Sequence, residues 1–398
     1  MQDTPFWPPV VWPAKATEVP KDIFVREDVY REELRRIFRG PEWFPVAHVS
    51  EIPNVDDFKT AVVGDVPLLV TRDPAGQVHV LYNSCSHRGT QVETRPYGNK
   101  RLFQCPYHRW SFSAKGDLVG CPLQPGDAVN FEREKFPMRK PRTGIVHGLV
   151  FVTLSDEAPT LEVFLDGYED KLANVMGGDG RLKLLGYHKS LLNANWKTYH
   201  DNDAWHAPLL HTAFRLLNWQ GGKGRQFANA RGHRGFESPL TVPDGRTLLS
   251  DPSLIEYREG AAKSLAAGSC SLHLFPLFAA VKHLNTIGLR FVNPRSVDET
   301  ELIFAYFGRE DDDDAMTRHR IRQSSNLLGP CGMVSMEDAA MFQRLHIGSR
   351  TPGMQVFQKG VKDEYAMPVQ FSQNDESPNI LSWEYYREVM GFEKASRA

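Results

Sequence analysis

The hydrophobic pattern changes character along the chain. The first twenty residues hold five prolines, which lack the backbone donor that a helix needs, so this stretch is predicted to be an extended arm. Residues 26–38 then repeat apolar side chains with a helical period, with acids early and arginines late, as the dipole of a helix favours. This segment is predicted to be an amphipathic helix that ends at Gly40.

A different pattern covers residues 43 to about 154. Short apolar runs alternate with polar positions and are separated by turn residues, which predicts strands at 67–71, 78–82 and 148–153. A small antiparallel β-domain is therefore expected after the N-terminal helix.

The second half of the chain mixes predicted helices with longer strands. Helices are predicted at 161–172, 316–328 and 380–390, the last of them closed by a glycine. Strands are predicted at 272–278, 286–292 and 301–307. A larger domain with an antiparallel sheet flanked by helices follows from this order, so the fold class is predicted to be α+β.

Composition narrows the class of protein. A chain of 398 residues is long enough for two domains, and 41% hydrophobic and 24% charged residues are ordinary for a globular protein. The net charge of −2 gives no sign of nucleic-acid binding, and no apolar run approaches the length of a membrane helix. We expect a cytoplasmic protein that binds neither nucleic acid nor a membrane.

Two cysteines and two histidines form the first candidate metal site. Cys85 and His87 are followed, after seventeen residues, by Cys105 and His108. Such a set suits a tetrahedral zinc ion, or a Rieske [2Fe–2S] cluster with two Cys on one iron and two His on the other. Because each loop supplies one Cys and one His, the spacing favours the Rieske cluster, with structural zinc as the alternative.

The remaining cysteines are scattered, which is not the pattern of a disulfide framework. We interpret them as buried, inert thiols: Cys121, Cys270 and Cys331.

A second candidate site begins with His206 and His211. An ideal helix would place residues five apart about 140° from one another, but Pro208 is predicted to disturb the helix and let both rings turn toward one point. A carboxylate from elsewhere would complete a 2-His-1-carboxylate set, which leaves positions on Fe(II) open for O2 and substrate. Asp338 is the best candidate and Glu337 its competitor. Two ordinary polar histidines on a helix remain the simpler alternative.

Together these motifs resemble the α subunits of Rieske non-haem iron aromatic-ring-hydroxylating oxygenases, over nearly the whole chain. The resemblance implies that the [2Fe–2S] cluster is bound by Cys85, His87, Cys105 and His108, and that the mononuclear Fe(II) is bound by His206, His211 and Asp338. It also implies an N-terminal arm and helix that pack on the catalytic domain (1–42), a Rieske domain (43–155) and a catalytic iron domain (156–398).

By the same resemblance, the chain is the terminal oxygenase component of a multicomponent system. It would use O2, and electrons from NAD(P)H delivered by a separate ferredoxin or reductase, to dihydroxylate an aromatic substrate. The expected assembly is a head-to-tail homotrimer, or α3β3 with a small β subunit. His108 of one chain would pass electrons through the bridging Asp203 of its neighbour to His206.

The segment before Asp203 departs from the family pattern. Between Asn195 and Asp203 this chain is shorter than its close relatives, so Asp201 is a candidate to share the bridging role. His200 is interpreted as a neighbour of the site or a surface residue, rather than a ligand.

The substrate is expected to be anionic. The segment from Leu327 to Asp338 and the strand around Arg290 look most similar to those of α subunits that hydroxylate aromatic acids, such as terephthalate dioxygenase and salicylate 5-hydroxylase. Arg290 lies in an otherwise apolar strand, where it could bind a carboxylate with two hydrogen bonds or form a structural salt bridge. Ile380 stands where terephthalate dioxygenase has an arginine, which favours a monoanion over a dicarboxylate. Candidate pocket walls, or plain core residues, are Leu209, Phe214, Phe275, Phe278, Leu289 and Phe291.

Other reactions and other classes of protein fit some or all of the same motifs. Ring monohydroxylation or O- or N-demethylation would use the same metals. A Rieske electron carrier, or a zinc-containing interaction protein, would lack the second metal site.

Overall fold

A computed structural model describes most of the chain, namely residues 8–122, 131–202, 204–212, 214, 224–239, 256–258 and 268–397. The chain divides into two compact units: Phe38–Phe164, and Met1–Ile37 together with Leu165–Ala398. Helices and antiparallel sheets occur together, so the predicted α+β class is confirmed.

Short antiparallel strands build the smaller unit. Its described residues form three sheets. The strands of the first, in spatial order, are Arg142–Val146, Leu149–Thr153 and Phe44–His48, and those of the second are Val78–Tyr82, Val66–Arg72, Asp57–Val63 and Tyr97–Asn99. The strands of the third are Leu102–Gln104, Ser111–Ser113 and Leu118–Gly120. The unit ends at Phe164, within the helix Leu161–Leu165. The three strands predicted here are all present.

The core of the smaller unit contains both cysteines of the first motif. Cys85 and Cys105 are buried among aromatic and aliphatic side chains that include Phe58, Phe103 and Phe112. The sheets therefore hold the two motif loops against one core.

A long antiparallel sheet forms the centre of the larger unit. In the described residues it has seven strands, in the spatial order Leu182–Leu192, Glu299–Arg309, Thr286–Ser296, Phe278–His283, Gly268–Leu274, Arg234–Pro239 and Arg225–Ala228. A separate pair joins Glu18–Pro20 to Met354–Val356. The α-helices among the described residues of this unit are Glu27–Glu33, Glu169–Val175, Trp196–His200, Ala207–Leu210, Asp314–Leu328, Met333–Gly348 and Ser377–Met390.

Two predicted elements are wrong in their extent. The helix predicted at 161–172 is two helices, because Asp166 and Gly167 adopt left-handed backbone angles (φ 48° and 79°) between them. The strand predicted at 272–278 ends at Leu274, and a turn leads to the next strand at Phe278. Both breaks lie in apolar segments whose periodicity does not mark them.

The N-terminal helix has nearly the predicted extent, but its last part changes from α- to π-helical. It covers Glu27–Glu33 and continues as a π-helical turn, Leu34–Phe38. The C-terminal helix ends as predicted at Gly391, which has a left-handed φ of 69°.

The three cysteines outside the first motif do not share one environment. Cys270 is buried, Cys121 is half-buried and Cys331 is exposed. The interpretation of all three as buried thiols is therefore wrong for Cys331.

No helix in the described part of the chain is long and apolar enough to cross a lipid bilayer.

Candidate metal centres and their cavity

The two loops of the Cys/His motif repeat one backbone pattern. The N–H groups of Cys85 and Cys105 each donate to the carbonyl oxygen five residues later, over 2.8 and 2.7 Å. Each Cys carbonyl oxygen accepts from the N–H four residues later, at Gly89 (2.8 Å) and at Arg109 (3.0 Å). Gly89 and Arg109 both have left-handed φ, at 76° and 59°. The loops therefore present their side chains as a matched pair.

The thiols and imidazoles of this pair lie at different depths. Cys85 and Cys105 are buried, whereas His87 is exposed and His108 is half-buried. The two imidazole centroids are 4.7 Å apart, and His87 stacks on Trp110 at 4.7 Å with ring planes 10° apart. A group held by all four side chains would have its Cys side in the core and its His side toward the surface.

The spacing of these ligands fits a cluster better than a single ion. The four ligand atoms of one tetrahedral zinc ion lie within about 4 Å of one another. Among the described residues, the ligand atoms of His206, His211 and Asp338 all lie within 4.8 Å of one another, whereas the Cys/His motif forms no group this compact. A [2Fe–2S] cluster separates its Cys pair from its His pair, so the four side chains fit that group.

The Cys85 sulfur also receives backbone donors. Burial raises the pKa of this thiol, while the N–H groups of His87 and Arg88 act in the opposite direction. Backbone donors aimed at a sulfur stabilise its thiolate, the form that binds iron.

The segment with His206 and His211 is not one interrupted helix. The helix Trp196–His200 ends in a turn, and Ala207–Leu210 begins directly after His206 and stops at His211. Pro208 lies in the first turn of that short helix, where its missing N–H costs no hydrogen bond. The predicted break at Pro208 is therefore wrong: the histidines converge because they flank a single turn.

Three ligand atoms converge at this point. The Nε2 atoms of His206 and His211 are 3.1 Å apart, and Asp338 Oδ1 lies 3.4 Å from the first and 3.2 Å from the second. Among the described residues this is the group found with metal-ligand spacing. His211 and Asp338 are buried, and His206 is partly exposed.

The triangle formed by these three ligand atoms has the dimensions of one face of a metal coordination sphere. Ligand atoms about 2.1 Å from one ion and at right angles to each other lie about 3.0 Å apart. Asp338 Oδ1 is buried, and apart from these two Nε2 atoms it has no polar partner in the described part of the chain. Burial acts to raise the pKa of Asp338, but the two imidazoles hold it below its usual range, so the carboxylate is ionised. The set fits a divalent ion such as Fe(II).

The structure gives different positions to Asp338 and Glu337, the two acids considered as the third ligand. Glu337 lies behind His211 and accepts a hydrogen bond from His211 Nδ1 at 2.9 Å, while Asp338 faces both Nε2 atoms. A proton on Nδ1 leaves the Nε2 lone pair free for a metal. Asp338 therefore has the position of a ligand, and Glu337 that of a support for the ligand ring.

The proposed bridging residue, Asp203, lies outside the described residues. Its candidate substitute Asp201 accepts a hydrogen bond from Trp383 Nε1 at 2.7 Å. His200 is buried, with Nδ1 3.1 Å from the carbonyl oxygen of Pro276, and burial together with the charge of Arg234 lowers its pKa well below 6.5. His200 is therefore a neutral interior side chain.

A cavity adjoins the His206–His211–Asp338 group. Its lining is more polar than the sequence predicts: of the six candidate walls, the described lining includes Phe214. Leu209 is exposed, and the other four are buried elsewhere in the core. The described lining also contains Phe236, Val281, Ser271, Gln226, His273, His283, Arg234 and Arg290.

Arg290 faces this cavity, where it forms no ion pair with a described residue, although the charge of Asp338 in the same lining acts on it. Its Nη1 donates to the hydroxyl oxygen of Tyr199 at 2.9 Å, and its guanidinium lies 4.9 Å from the centroid of Phe304. In the described part of the chain it forms no ion pair with an acid, and its buried Nε has no hydrogen-bond partner. The structural salt bridge considered as an alternative is not present there.

Sequence reasoning missed Arg234, His273 and His283. Arg234 donates to the carbonyl oxygens of Asn202 (2.8 Å) and His200, so it holds the turn that precedes His206. His283 ends a largely apolar strand, Phe278–His283, and that was a usable signal. The strands of Arg234 and His273 mix polar and apolar residues, so neither residue stands out in its strand.

Comparison with known proteins gives two family matches. Residues 42–134 match the model of the Rieske [2Fe-2S] domain, and residues 168–368 match that of the ring hydroxylating alpha subunit catalytic domain.

Individual relatives cover most of the chain. The large subunit of anthranilate 1,2-dioxygenase from Burkholderia cepacia is 33% identical over 368 residues, 84% of each chain. Terephthalate 1,2-dioxygenase terminal oxygenase subunit alpha 2 from Comamonas sp. is 32% identical, over 82% of this chain and 84% of the relative. The large oxygenase component of salicylate 5-hydroxylase from Ralstonia sp. is 30% identical, over 83% and 85%.

A solved structure has the same fold. Naphthalene 1,2-dioxygenase from Rhodococcus sp., bound to indole, superposes with a TM-score of 0.80 at 22% identity and covers 94% of each chain.

Proposed function

Because the chain belongs to the α subunits of Rieske ring-hydroxylating oxygenases, with a [2Fe–2S] cluster and a non-haem iron as cofactors, we propose that it dihydroxylates the ring of an aromatic monoanion. The predicted family is confirmed by these matches. The substrate, the ligand residues, the electron donors and the assembly belong to the proposal.

The proposed ligands are those that converge in each unit. Cys85 and Cys105 bind one iron of the cluster and His87 and His108 the other, while the mononuclear iron is bound by His206, His211 and Asp338. When bound, the cluster supplies electrons and the mononuclear iron the open positions at which O2 reacts. Glu337 fixes the ring orientation of His211 through the hydrogen bond at Nδ1.

The electrons come from NAD(P)H through a separate ferredoxin or reductase. We place their exit at His108, which is half-buried beside the exposed His87. They reach His206 of a neighbouring chain through Asp203 in a homotrimer or an α3β3 assembly.

One observation carries the assignment of an anionic substrate: Arg290 is buried, lines the cavity of the proposed iron site and has no acidic partner among the described residues. A buried guanidinium without a counter-ion is costly, and a substrate carboxylate that binds its free edge would remove that cost. Arg290 would then fix one end of the ring while Phe214 and Phe236 pack against its faces.

A single carboxylate is favoured over two. Ile380 is buried in the helix Ser377–Met390 and supplies no cation. The other arginine of the cavity, Arg234, already donates to two backbone carbonyl oxygens. Among the described residues of the lining, Arg290 is therefore the cation available for a substrate.

The test is a substrate panel with the protein reduced through a ferredoxin and reductase. We expect NADH and O2 consumption coupled to a cis-dihydrodiol for benzoate-type monoacids, and weak turnover of a benzenedicarboxylate or a neutral arene. Preference for neutral arenes would contradict the proposal.

The kinship with salicylate 5-hydroxylase favours monohydroxylation as a second candidate. Mass spectrometry of products formed under 18O2 distinguishes the two, since dihydroxylation adds two labelled atoms to the ring and monohydroxylation adds one.

A further inference from the structure

His273 is a histidine of the cavity whose ring nitrogens form no hydrogen bond or ion pair with the described residues. It is partly exposed although it lies on an inner strand of the large sheet, and it is part of the cavity lining. Neither ring nitrogen forms a hydrogen bond or ion pair in the described part of the chain, whereas Arg290 and Arg234 each donate to protein oxygens. Its exposed surface is therefore available to a molecule in the cavity.

His273 and Arg290 stand on the same face of the sheet. His273 pairs with Ala279, and Ala279 pairs with Arg290, so the three residues form one row across three strands. Two strand spacings separate the backbone positions of His273 and Arg290 by about 10 Å, with the small side chain of Ala279 between them. Two polar side chains that rise on either side of a small one can contact opposite parts of one benzene ring.

The environment also fixes the charge of His273. Burial, and the positive charges of Arg234 and Arg290, lower its pKa well below 6.5. A neutral imidazole presents one N–H donor and one nitrogen acceptor. It therefore suits a group that both donates and accepts, such as a hydroxyl or an amino group, better than a second carboxylate.

We propose that His273 binds a second polar substituent, a hydroxyl or amino group, on an aromatic acid whose carboxylate is held by Arg290. The inference rests on the proposed function and narrows its substrate class to hydroxy- and aminobenzoates. His273 then acts as a specificity residue and takes no part in the oxidation itself.

The test is equilibrium binding to the iron-loaded protein, kept anaerobic so that no turnover occurs. Calorimetry compares benzoate with its 2-, 3- and 4-hydroxy and amino derivatives, for the wild type, His273→Leu and His273→Asn. We expect the wild type to bind at least one derivative roughly tenfold more tightly than benzoate, as a hydrogen bond to a buried group allows. His273→Leu should lose that preference while benzoate affinity stays within about twofold, and His273→Asn should regain part of it because an amide both donates and accepts.

The outcomes separate this inference from the proposed function. Benzoate binding with no preference for any derivative, or a preference that survives in His273→Leu, overturns the role of His273 and leaves the anionic substrate intact. If no benzoate-type acid binds, both the role of His273 and the proposed function are overturned. Iron content and the visible spectrum of each variant establish that the metal centres are intact.

Discussion

His211 contacts a different acid through each ring nitrogen. Nδ1 donates to Glu337 at 2.9 Å and Nε2 lies 3.2 Å from Asp338. Removal of a carboxylate that orients a metal-binding histidine commonly lowers metal affinity by about 10- to 100-fold. Glu337→Ala should therefore weaken iron binding by that factor and leave the cluster spectrum unchanged, as measured by Fe(II) titration of the apo site.

Glu337→Gln is the matched control, because its amide oxygen still accepts from Nδ1. It should lose less affinity than Glu337→Ala. Equal affinity for all three proteins would show that Glu337 does not support the ligand.

Substitution of Arg290 tests whether the substrate is an anion. Charge-assisted hydrogen bonds contribute about 1.5–3 kcal/mol, so Arg290→Gln should raise KM for an aromatic acid by roughly 10- to 100-fold. Arg290→Lys keeps the charge without the planar fork and should be intermediate. Steady-state kinetics measures both.

Arg181→Gln provides the comparison, since this arginine is exposed and pairs with Asp179. Its KM should equal that of the wild type. An unchanged KM in Arg290→Gln would remove the assignment of Arg290 to the substrate.

Three helices of the larger unit meet at one buried carboxylate. Glu33, at the end of the helix Glu27–Glu33, accepts from Lys197 Nζ (2.6 Å), Trp196 Nε1 (2.8 Å) and the Tyr386 hydroxyl (2.5 Å). Glu33 and Lys197 are fully buried. Because Trp196 and Lys197 begin the segment that leads to His206, this ion pair anchors that segment.

Removal of one partner leaves a buried charge and costs about 3–5 kcal/mol. Lys197→Met should lower the free energy of unfolding by that amount in urea, and the double variant Glu33→Leu/Lys197→Met should recover part of it. A loss below about 1 kcal/mol in the single variant would show that the pair does not stabilise the unit.

Sequence periodicity predicted most elements but not their breaks. The helix predicted at 161–172 is divided at Asp166 and Gly167 by left-handed backbone angles, which hydrophobic periodicity does not encode. The end of the last helix was predicted correctly, because the sequence shows a glycine there and Gly391 adopts the positive φ that closes a helix.

The metal-binding motifs could be predicted from the sequence because only a few metal groups suit a given set of ligands. The types and spacing of Cys85, His87, Cys105 and His108 limit the group they can bind. Asp338 was preferred to Glu337, but spacing alone could not select either acid, because adjacent acids on a helix differ only in the direction that the fold gives them. His273 was missed because a polar residue in a strand faces solvent or a cavity according to tertiary packing.

At the scale of the whole molecule, electron transfer between chains is testable by complementation. His108→Ala removes a proposed cluster ligand and His211→Ala a proposed iron ligand, so each variant alone should be inactive. In a head-to-tail ring formed at random from equal amounts of both chains, about a quarter of the contacts join an intact cluster to an intact iron. Co-expressed chains should therefore regain about a quarter of wild-type activity per chain. No activity in the mixture would indicate transfer within one chain.

The central claim is that this chain binds two separate metal centres. Its most direct test is the iron and acid-labile sulfide content of anaerobically purified wild type and His211→Ala. We predict about three irons and two sulfides per wild-type chain, and about two irons in the variant with the visible spectrum retained. About two irons in both proteins, at full cluster occupancy, would contradict the mononuclear site.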